Sequence, residues 1–377
     1  MIRVLQIVGA MDRGGIETFL MNIYRNIDRN KVQFDFLVHT DKKCAFDEEI
    51  KSLGGNIFSV VPRRQGYFKN KKSLDEFFKT NNEYKVVHQH LSSLTYVEPL
   101  RAAESNNILC RIVHSHNTRQ GGSKIHKYIH RINQFSIKSY ATDYFACSDL
   151  AAKWTYPKKL YNDHKFKVIN NGINSEKFIF HQAIREQKRK ELGIVNKFVI
   201  GHVGRFHPQK NHDFVIDVFK KIHDKNKDSV LMLVGDGEHR LRIERKVKDL
   251  GLSRSVIFTG VRTDVPELFQ AMDMFLFPSL YEGLGIVLIE AQASGLKCFT
   301  SDRVVPKEVK MSNILLNFIS LEQSPQKWAD EILKCKGYAR KDTTDIIKKA
   351  EFDIHPIAEE LQKWYELKAH SVLITSN

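Results

Sequence analysis

The sequence predicts an α/β fold built on parallel sheets and divided into two domains. Two observations carry this. Strand-like apolar runs alternate with helical segments along the chain, the pattern of a parallel sheet covered by helices. The series is interrupted once by a charged segment, and 377 residues are long for a single core.

In the first half the candidate strands are 4–8, 34–38, 86–88, 111–114 and 144–147, with 168–169 running into the turn Asn170-Asn171-Gly172. In the second half they are 198–203, 230–234, 256–258, 274–277 and 298–300. Between them, segments such as 213–223 and 239–250 show helical periodicity. The segment from Phe180 to Glu191 reads as a linker and short surface helix, so a boundary is expected near residues 178–195. Residues 1–180 and 181–355 are the expected domains. The tail 356–377 is an amphipathic helix with Ile357, Leu361, Trp364, Tyr365 and Leu367 as its apolar positions, and such a helix needs a surface to cover.

Apolar content of 42% and charged content of 27% fit a soluble globular protein. No apolar run approaches the ~20 residues of a membrane helix, and the N-terminus reads as a first strand rather than a signal peptide. The five cysteines (Cys44, Cys110, Cys147, Cys298, Cys335) are scattered and never spaced C-x-x-C, which suits a reducing cytoplasm without a disulfide framework or zinc site. The net charge of +15 is uneven. Residues 1–180 hold 28 Lys+Arg against 17 Asp+Glu, and the remainder 31 against 27. A basic first half suits nucleic acid, an anionic membrane surface or phosphorylated substrates, or is a solvated face.

The segment from Pro278 to Ala291 is the most informative. A strand ends in Pro278-Ser279, a loop carries Glu282, Gly283, Leu284 and Gly285, and Glu290 sits inside the helix beyond. Loops and helix starts at the carboxyl edge of a parallel sheet are where open α/β folds bind ligands. Two acceptor-only carboxylates there suit sugar or ribose hydroxyls, and the helix N-terminus suits a phosphate. The strand 198–203 runs into Gly204-Arg205-Phe206-His207-Pro208-Gln209-Lys210, whose Arg205 and Lys210 could clamp a diphosphate. The turn Gly235-Asp236-Gly237 needs no ligand, and Arg262 lies in a loop that either contacts a nucleobase or is only a turn. After the first strand, Gly14-Gly15-Ile16-Glu17 opens a helix whose free N–H groups could face an anion, although G-x-G-x-x-G is absent.

Sixteen histidines include the pairs His88/His90, His114/His116 and His126/His130. No H-E-x-x-H or Cys/His pattern is present, so hydrogen-bonded structural roles are expected and no metal site is assigned. His116 comes just after a strand end, where a polar group would face a ligand.

Together these residues resemble the retaining glycosyltransferases of family 4. The resemblance covers nearly the whole chain. It is carried by Gly14-Gly15-Ile16-Glu17, Val113-His114-Ser115-His116-Asn117, Asn170-Asn171-Gly172-Ile173-Asn174, Gly204-Arg205 with Lys210, Val234-Gly235-Asp236-Gly237, and the Glu282 and Glu290 pair. The stretch Cys298 to Val309 and the region around Ala146-Cys147-Ser148 further resemble bacterial capsule and exopolysaccharide members. The resemblance implies the GT-B architecture: two Rossmann-like domains facing a central cleft, with the C-terminal helix crossing back to the first. It implies that Gly14 and Gly15 approach the donor, that His116 contacts the transferred sugar, and that Arg205 and Lys210 hold the diphosphate and stabilise the leaving group. Glu282, with Gly283, Leu284 and Gly285, would hold the sugar, Glu290 the ribose, and Arg262 would line the donor site. Glu17, His90 and Asn171 fall on the acceptor side or cleft. Asn174 stands where the family usually has Asp, a position expected to shape the hinge rather than the chemistry.

The resemblance thus implies a hexosyltransferase using a nucleotide diphosphate sugar, UDP-linked first and GDP-mannose second, on a lipid-linked saccharide acceptor. No metal or other cofactor is expected, since cations and helix N-termini replace the metal. Arg63, Arg64, Lys69, Lys71, Lys72 and Lys79, interleaved with Tyr67, Phe68, Phe77 and Phe78, read as a surface for anionic lipid heads on the inner face of the cell membrane. The other reading makes Phe77 and Phe78 core residues of a helix. Two rival functions are a GT-B-like sugar epimerase or phosphorylase and a non-catalytic basic binding module. No nucleic-acid motif supports the latter.

Overall fold

A computed structural model describes residues 1–118 and 123–375. The chain divides into two compact units, residues 1–172 with the C-terminal segment from Asp353, and Ile173–Phe352.

The first unit is a seven-stranded sheet of β1 (Ile2–Val8), β2 (Val32–Val38), β3 (Ile57–Ser59), β4 (Val86–Leu91), β5 (Cys110–Ser115), β6 (Asp143–Ala146) and β7 (Lys167–Val168). The strand order is β3-β2-β1-β4-β5-β6-β7, and every pairing is parallel. The helices are α1 (Gly15–Asn26), α2 (Asp47–Ser52), α3 (Tyr67–Thr80), α4 (Glu98–Ser105), α5 (Lys124–Tyr140), α6 (Asp149–Thr155) and α7 (Lys158–Asn162). Central strands β2 and β4 are buried along their whole length, which is why they read as apolar runs rather than alternating ones. Right-handed crossovers place α3, α4 and α5 on one face and α1 and α2 on the other. All three helices of the first face start at the carboxyl edge of the sheet.

The C-terminal helix, Ile354–Thr375, completes this unit. It lies beside α1 and against β1, β2, β4 and β5. Ile354, Ile357, Ala358, Leu361, Tyr365 and Ala369 are buried in the same core as Phe19, Phe34 and Phe36. Trp364 packs its ring edge-on to Phe145 with centroids 4.9 Å apart. Leu367, expected on the covered face, is 65% exposed instead.

The second unit is a six-stranded parallel sheet of β8 (Phe198–Val203), β9 (Ser229–Val234), β10 (Val256–Gly260), β11 (Met274–Phe277), β12 (Lys297–Ser301) and β13 (Leu316–Ile319), in the order β10-β9-β8-β11-β12-β13. Its helices are α8 (Gln182–Glu191), α9 (His212–Lys225), α10 (Arg240–Asp249), α11 (Val265–Ala271), α12 (Ile286–Ala293), α13 (Pro325–Leu333) and α14 (Thr344–Lys349). Its core gathers Phe198, Ile200, Phe219, Leu231, Leu276 and Trp328. The order reverses between β8 and β11, as it does between β1 and β4, and this reversal is the position at which doubly wound sheets open a ligand crevice.

The sheet architecture is the one expected, with the edge strands β3 and β13 added. The passage between units falls earlier than the charged segment. Ile173 N–H donates to the Phe352 carbonyl at 2.9 Å, and Phe178 is buried beside Phe269, so residues 173–180 pack with the second unit. Asp353 to His355 belong to the first. Among the described residues no helix is long and apolar enough to cross a membrane.

Candidate active site

In the second unit the loops after β8 and β11 are stitched together. Asn211, in the left-handed region at φ 53°, ends the 208–210 turn and donates its side-chain amide to the Pro278 carbonyl at 3.1 Å. Leu280 N–H donates to the Gln209 carbonyl at 2.8 Å. Gln209 Nε2 donates to the Tyr281 carbonyl at 2.9 Å and to Glu282 Oε2 at 3.3 Å. Lys210 Nζ donates to Glu282 Oε1 at 2.6 Å and sits 4.7 Å from the centre of the Phe277 ring. The lysine expected to hold phosphate and the glutamate expected to hold sugar are thus an ion pair, with Glu282 only 5% exposed. Gln209, Asn211 and Phe277 position this pair, and sequence reasoning passes over all three; an Asn directly before a helix is the one signal they offer.

Arg205 is exposed, and no carboxylate reaches its guanidinium among the described residues. Its loop rests on the turn after β9. Phe206 N–H donates to the Asp236 carbonyl at 3.0 Å. A Cβ on Gly235, at φ +131°, would lie 2.3 Å from the Gly204 carbonyl oxygen. Only glycine fits there, so the Gly235-Asp236-Gly237 turn is the seat of the Arg205 loop.

Gly285, at φ 82° and ψ 52°, opens α12. Leu284 is buried below it and Glu290 lies in the second turn, partly buried. No hydrogen bond or ion pair reaches the Glu290 carboxylate among the described residues, and burial pushes its pKa up to about 7. Arg262 is engaged elsewhere. It binds Asp264 through Nε at 2.7 Å and Nη2 at 2.6 Å, and Asp264 also accepts from Lys188 at 2.9 Å. Its side chain is held in an ion-pair network with Asp264, apart from the contact that joins Lys210 to Glu282.

In the first unit the loop after β1 leads to Gly14 and Gly15. The Glu17 carboxylate folds back over Gly14, and burial raises its pKa to about 7. A Cβ on Gly15 would meet no atom within 4 Å, so packing within the chain does not require glycine there. A cavity of about 240 Å³ opens beside this loop, lined by Gly9, His39, His90, Ser92, Ser93 and Tyr96 among others. Asn171 is buried, and its Oδ1 has no partner among the described residues.

His90 and His116 belong to one hydrogen-bonded chain. Gln6 Nε2 donates to Tyr365 Oη at 3.3 Å, so Gln6 Oε1 faces His90 Nε2 at 2.9 Å. An amide oxygen only accepts, so the His90 proton is on Nε2. Burial, with repulsion from neighbouring imidazoles, keeps His90 neutral and leaves its Nδ1 an acceptor. His116 Nε2, 2.9 Å away, must donate to it. Burial also depresses the His116 pKa to about 3, so this ring is neutral and its Nδ1 is unprotonated. That atom is shielded from solvent without a partner among the described residues. Tyr365 Oη in turn lies 2.7 Å from His88 Nδ1.

His88, His90 and His114 bring ring nitrogens within 4.8 Å of one another. They fit a metal poorly. Both His90 nitrogens and His88 Nδ1 are engaged, and the His88 and His114 rings stack at 11° with centroids 5.2 Å apart. His88 Nε2 and both His114 nitrogens have no partner among the described residues, but His90 would have to give up one of its two bonds to ligate an ion at ~2.1 Å.

Two Rossmann-like sheets, one carrying cations and carboxylates on its switch-point loops, define a transferase of the GT-B class. Known proteins agree. Residues 13–177 match the family described as Glycosyltransferase Family 4, and residues 184–351 that described as Glycosyl transferases group 1. The glycosyltransferase EpsF of Bacillus subtilis (strain 168) is 34% identical over 345 residues, covering 90% of this chain and 88% of that protein. The UDP-Gal:alpha-D-GlcNAc-diphosphoundecaprenol alpha-1,3-galactosyltransferase of Escherichia coli is 33% identical over 311 residues, 80% of this chain and 78% of that protein. The crystal structure of Anabaena Alr3699/HepE in complex with UDP and glucose shares the fold, with a TM-score of 0.75 at 19% identity over 96% of this chain and 99% of that one. The chain belongs to glycosyltransferase family 4, and it is a glycosyltransferase.

Proposed function

We propose that this enzyme transfers a hexosyl group from a UDP-sugar to a lipid-linked saccharide, with retention of anomeric configuration, in the synthesis of a bacterial surface polysaccharide. The observation that carries the reading is the pair of stitched loops after β8 and β11. They gather the Lys210–Glu282 ion pair with Arg205 and, on the next helix, Glu290, the last two without a charge partner among the described residues. UDP is supported by the bound nucleotide of the HepE complex and by the donor of the Escherichia coli enzyme, and a lipid-linked acceptor by the name of the latter.

In this reading the ribose hydroxyls donate to Glu290. The diphosphate draws Lys210 away from Glu282 and pairs with it and with Arg205, and the freed Glu282 accepts from the sugar hydroxyls. In the first unit His116 Nδ1 serves as an acceptor for a substrate hydroxyl. The anomeric carbon–phosphate oxygen bond breaks as the acceptor oxygen bonds the same face of that carbon. The acceptor proton passes to the departing phosphate oxygen, and UDP leaves. The two cations stabilise the charge on that phosphate, so no metal is required.

Incubation of the protein with a panel of UDP-sugars and GDP-mannose, with polyprenyl-diphosphate saccharides as acceptors, tests this. The expected product carries the donor's anomeric configuration, and its yield is unchanged by EDTA. An inverted product, transfer only from GDP-mannose, conversion of the free sugar nucleotide without acceptor, or loss of activity in EDTA would overturn the corresponding part. A second expectation concerns Gly15. Gly15→Ala should leave the melting temperature unchanged, because the added methyl meets open space, yet weaken donor use roughly tenfold or more by blocking close approach. Unchanged steady-state kinetics in this variant would remove Gly15 from the donor site.

A further inference from the structure

We infer that the exposed face of α5 is a docking surface for an anionic lipid bilayer. The inference deepens the lipid-linked acceptor reading, but its geometry stands by itself. Four large apolar side chains of α5 face solvent: Ile125 at 69%, Tyr128 at 69%, Ile132 at 48% and Phe135 at 76% exposure. Their spacing puts them on one stripe of the helix. Lys124, Lys127, Arg131 and Lys138 form the adjoining stripe, all exposed, and no carboxylate pairs with them among the described residues. The helix contains no Asp or Glu at all. His130, Asn133 and Ile137 form the opposite, buried stripe. The buried stripe is already engaged: His130 accepts from Leu94 N–H and stacks on Trp154, and Asn133 donates to the Leu94 carbonyl, so the outer stripe is surplus to the fold.

Charge and composition select the occupant. Lysines are depleted from protein–protein interfaces, whereas an apolar stripe with an aromatic ring and an uninterrupted basic border suits the boundary between acyl chains and anionic headgroups. α5 starts at the carboxyl edge of the sheet, the edge at which the cavity beside β1 and β4 opens. A bilayer held on this face would bring a lipid-borne saccharide to that edge. The stretch 63–79, expected to serve this purpose, is committed to the fold only in part. Phe78 is fully buried, Phe77 packs on Phe58 with centroids 5.2 Å apart, and Arg63 donates to the Thr95 carbonyl at 2.5 Å. Phe68, 83% exposed, stays outside at the start of α3 on the same sheet face, with Arg64, Tyr67, Lys69, Lys71, Lys72 and Lys79 also exposed, and extends the basic surface beside α5.

The test is co-sedimentation of the full chain, without any sugar nucleotide, with vesicles of phosphatidylcholine alone or mixed in equal parts with phosphatidylglycerol. Binding to the mixed vesicles only is expected. Ile132→Ser/Phe135→Ser should abolish it, and Lys127→Gln/Arg131→Gln should weaken it roughly fivefold per cation. All these side chains are exposed, so melting curves and stabilisation by UDP should match the parent, which separates this inference from the donor-site reading. Equal binding to neutral vesicles, full binding by both variants, or loss of self-association by the apolar variant in place of vesicle binding would overturn it, the last by assigning the face to a second copy of the chain.

Discussion

Lys210→Ala is expected to reduce transfer by about 10²- to 10³-fold, the usual effect of deleting one preorganised group that stabilises transition-state charge. The same change should destabilise the second unit. Glu282 is nearly fully buried, and Lys210 Nζ is bonded to it at 2.6 Å. Removing one partner of a buried pair leaves a carboxylate stripped of its counter-charge, at a cost of about 3–5 kcal/mol. Two effects of different origin would then share one substitution. They separate in the double variant Lys210→Met/Glu282→Gln, which removes both charges while keeping volume. Its melting temperature should recover most of the loss, and its transfer rate should not. Thermal unfolding and a radiolabelled transfer assay on the three proteins decide the matter. A Lys210→Ala enzyme with parental turnover would dismiss the diphosphate role.

Glu290 should make both stability and donor affinity depend on pH, in opposite senses. Its carboxyl, raised to about 7 by burial, has an ordinary value of 4.5. Below the ordinary value, folded and unfolded chains are both protonated and the group costs nothing. As pH rises toward 7 the unfolded chain releases its proton first, so stability falls, and the loss is complete above 7 at about 3 kcal/mol at most. Glu17, raised to the same value, adds to the slope. Ribose hydroxyls donate to a carboxylate, so UDP selects the ionised form. Affinity should rise roughly tenfold between about pH 6 and 8, and calorimetry in buffers of different ionisation heat should show a proton released on binding. Glu290→Gln should flatten this dependence. A pH-independent affinity in the parent enzyme would remove Glu290 from the ribose contact.

The sheets are legible in the sequence because central parallel strands are continuous apolar runs, as in Val230 to Val234, and because glycine-bearing loops come after them. The edge strands β3 and β13 are not, since three or four residues such as Ile57-Phe58-Ser59 carry no periodicity. Arg205, Lys210 and Glu282 can be picked out as residue types in loops at strand ends, and Glu290 in the helix that one of those loops opens. The Lys210–Glu282 pairing cannot, because it joins positions 72 apart in the chain. The same holds for Gln6 and Tyr365, which are 359 positions apart and set the His116 tautomer from outside any motif. The pairing of Arg262 with Asp264, two residues on, is equally silent in the sequence, where the loop reads as a turn with or without a ligand. The charged segment misleads about the unit boundary because charge marks a solvent-facing stretch, whereas the division lies at the backbone bond between Ile173 and Phe352.

The C-terminal helix has a consequence for biosynthesis. The ribosome delivers it after the whole of the second unit, yet it supplies Ile354, Ile357, Leu361 and Tyr365 to the core of the unit begun first. Each large side chain contributes about 1.5–3 kcal/mol on burial, so together they rival the entire margin of a typical domain. Until the helix has been made, residues 1–172 are therefore an unfinished body with an open apolar groove beside α1. Transiently exposed apolar surface of this kind makes a chain prone to aggregate until it is covered. Tyr365 also anchors Gln6 and through it His90 and His116. A product terminated before Tyr365 would lack that anchor, so a hydrogen-bonded chain around His90 waits on a residue made 275 positions later.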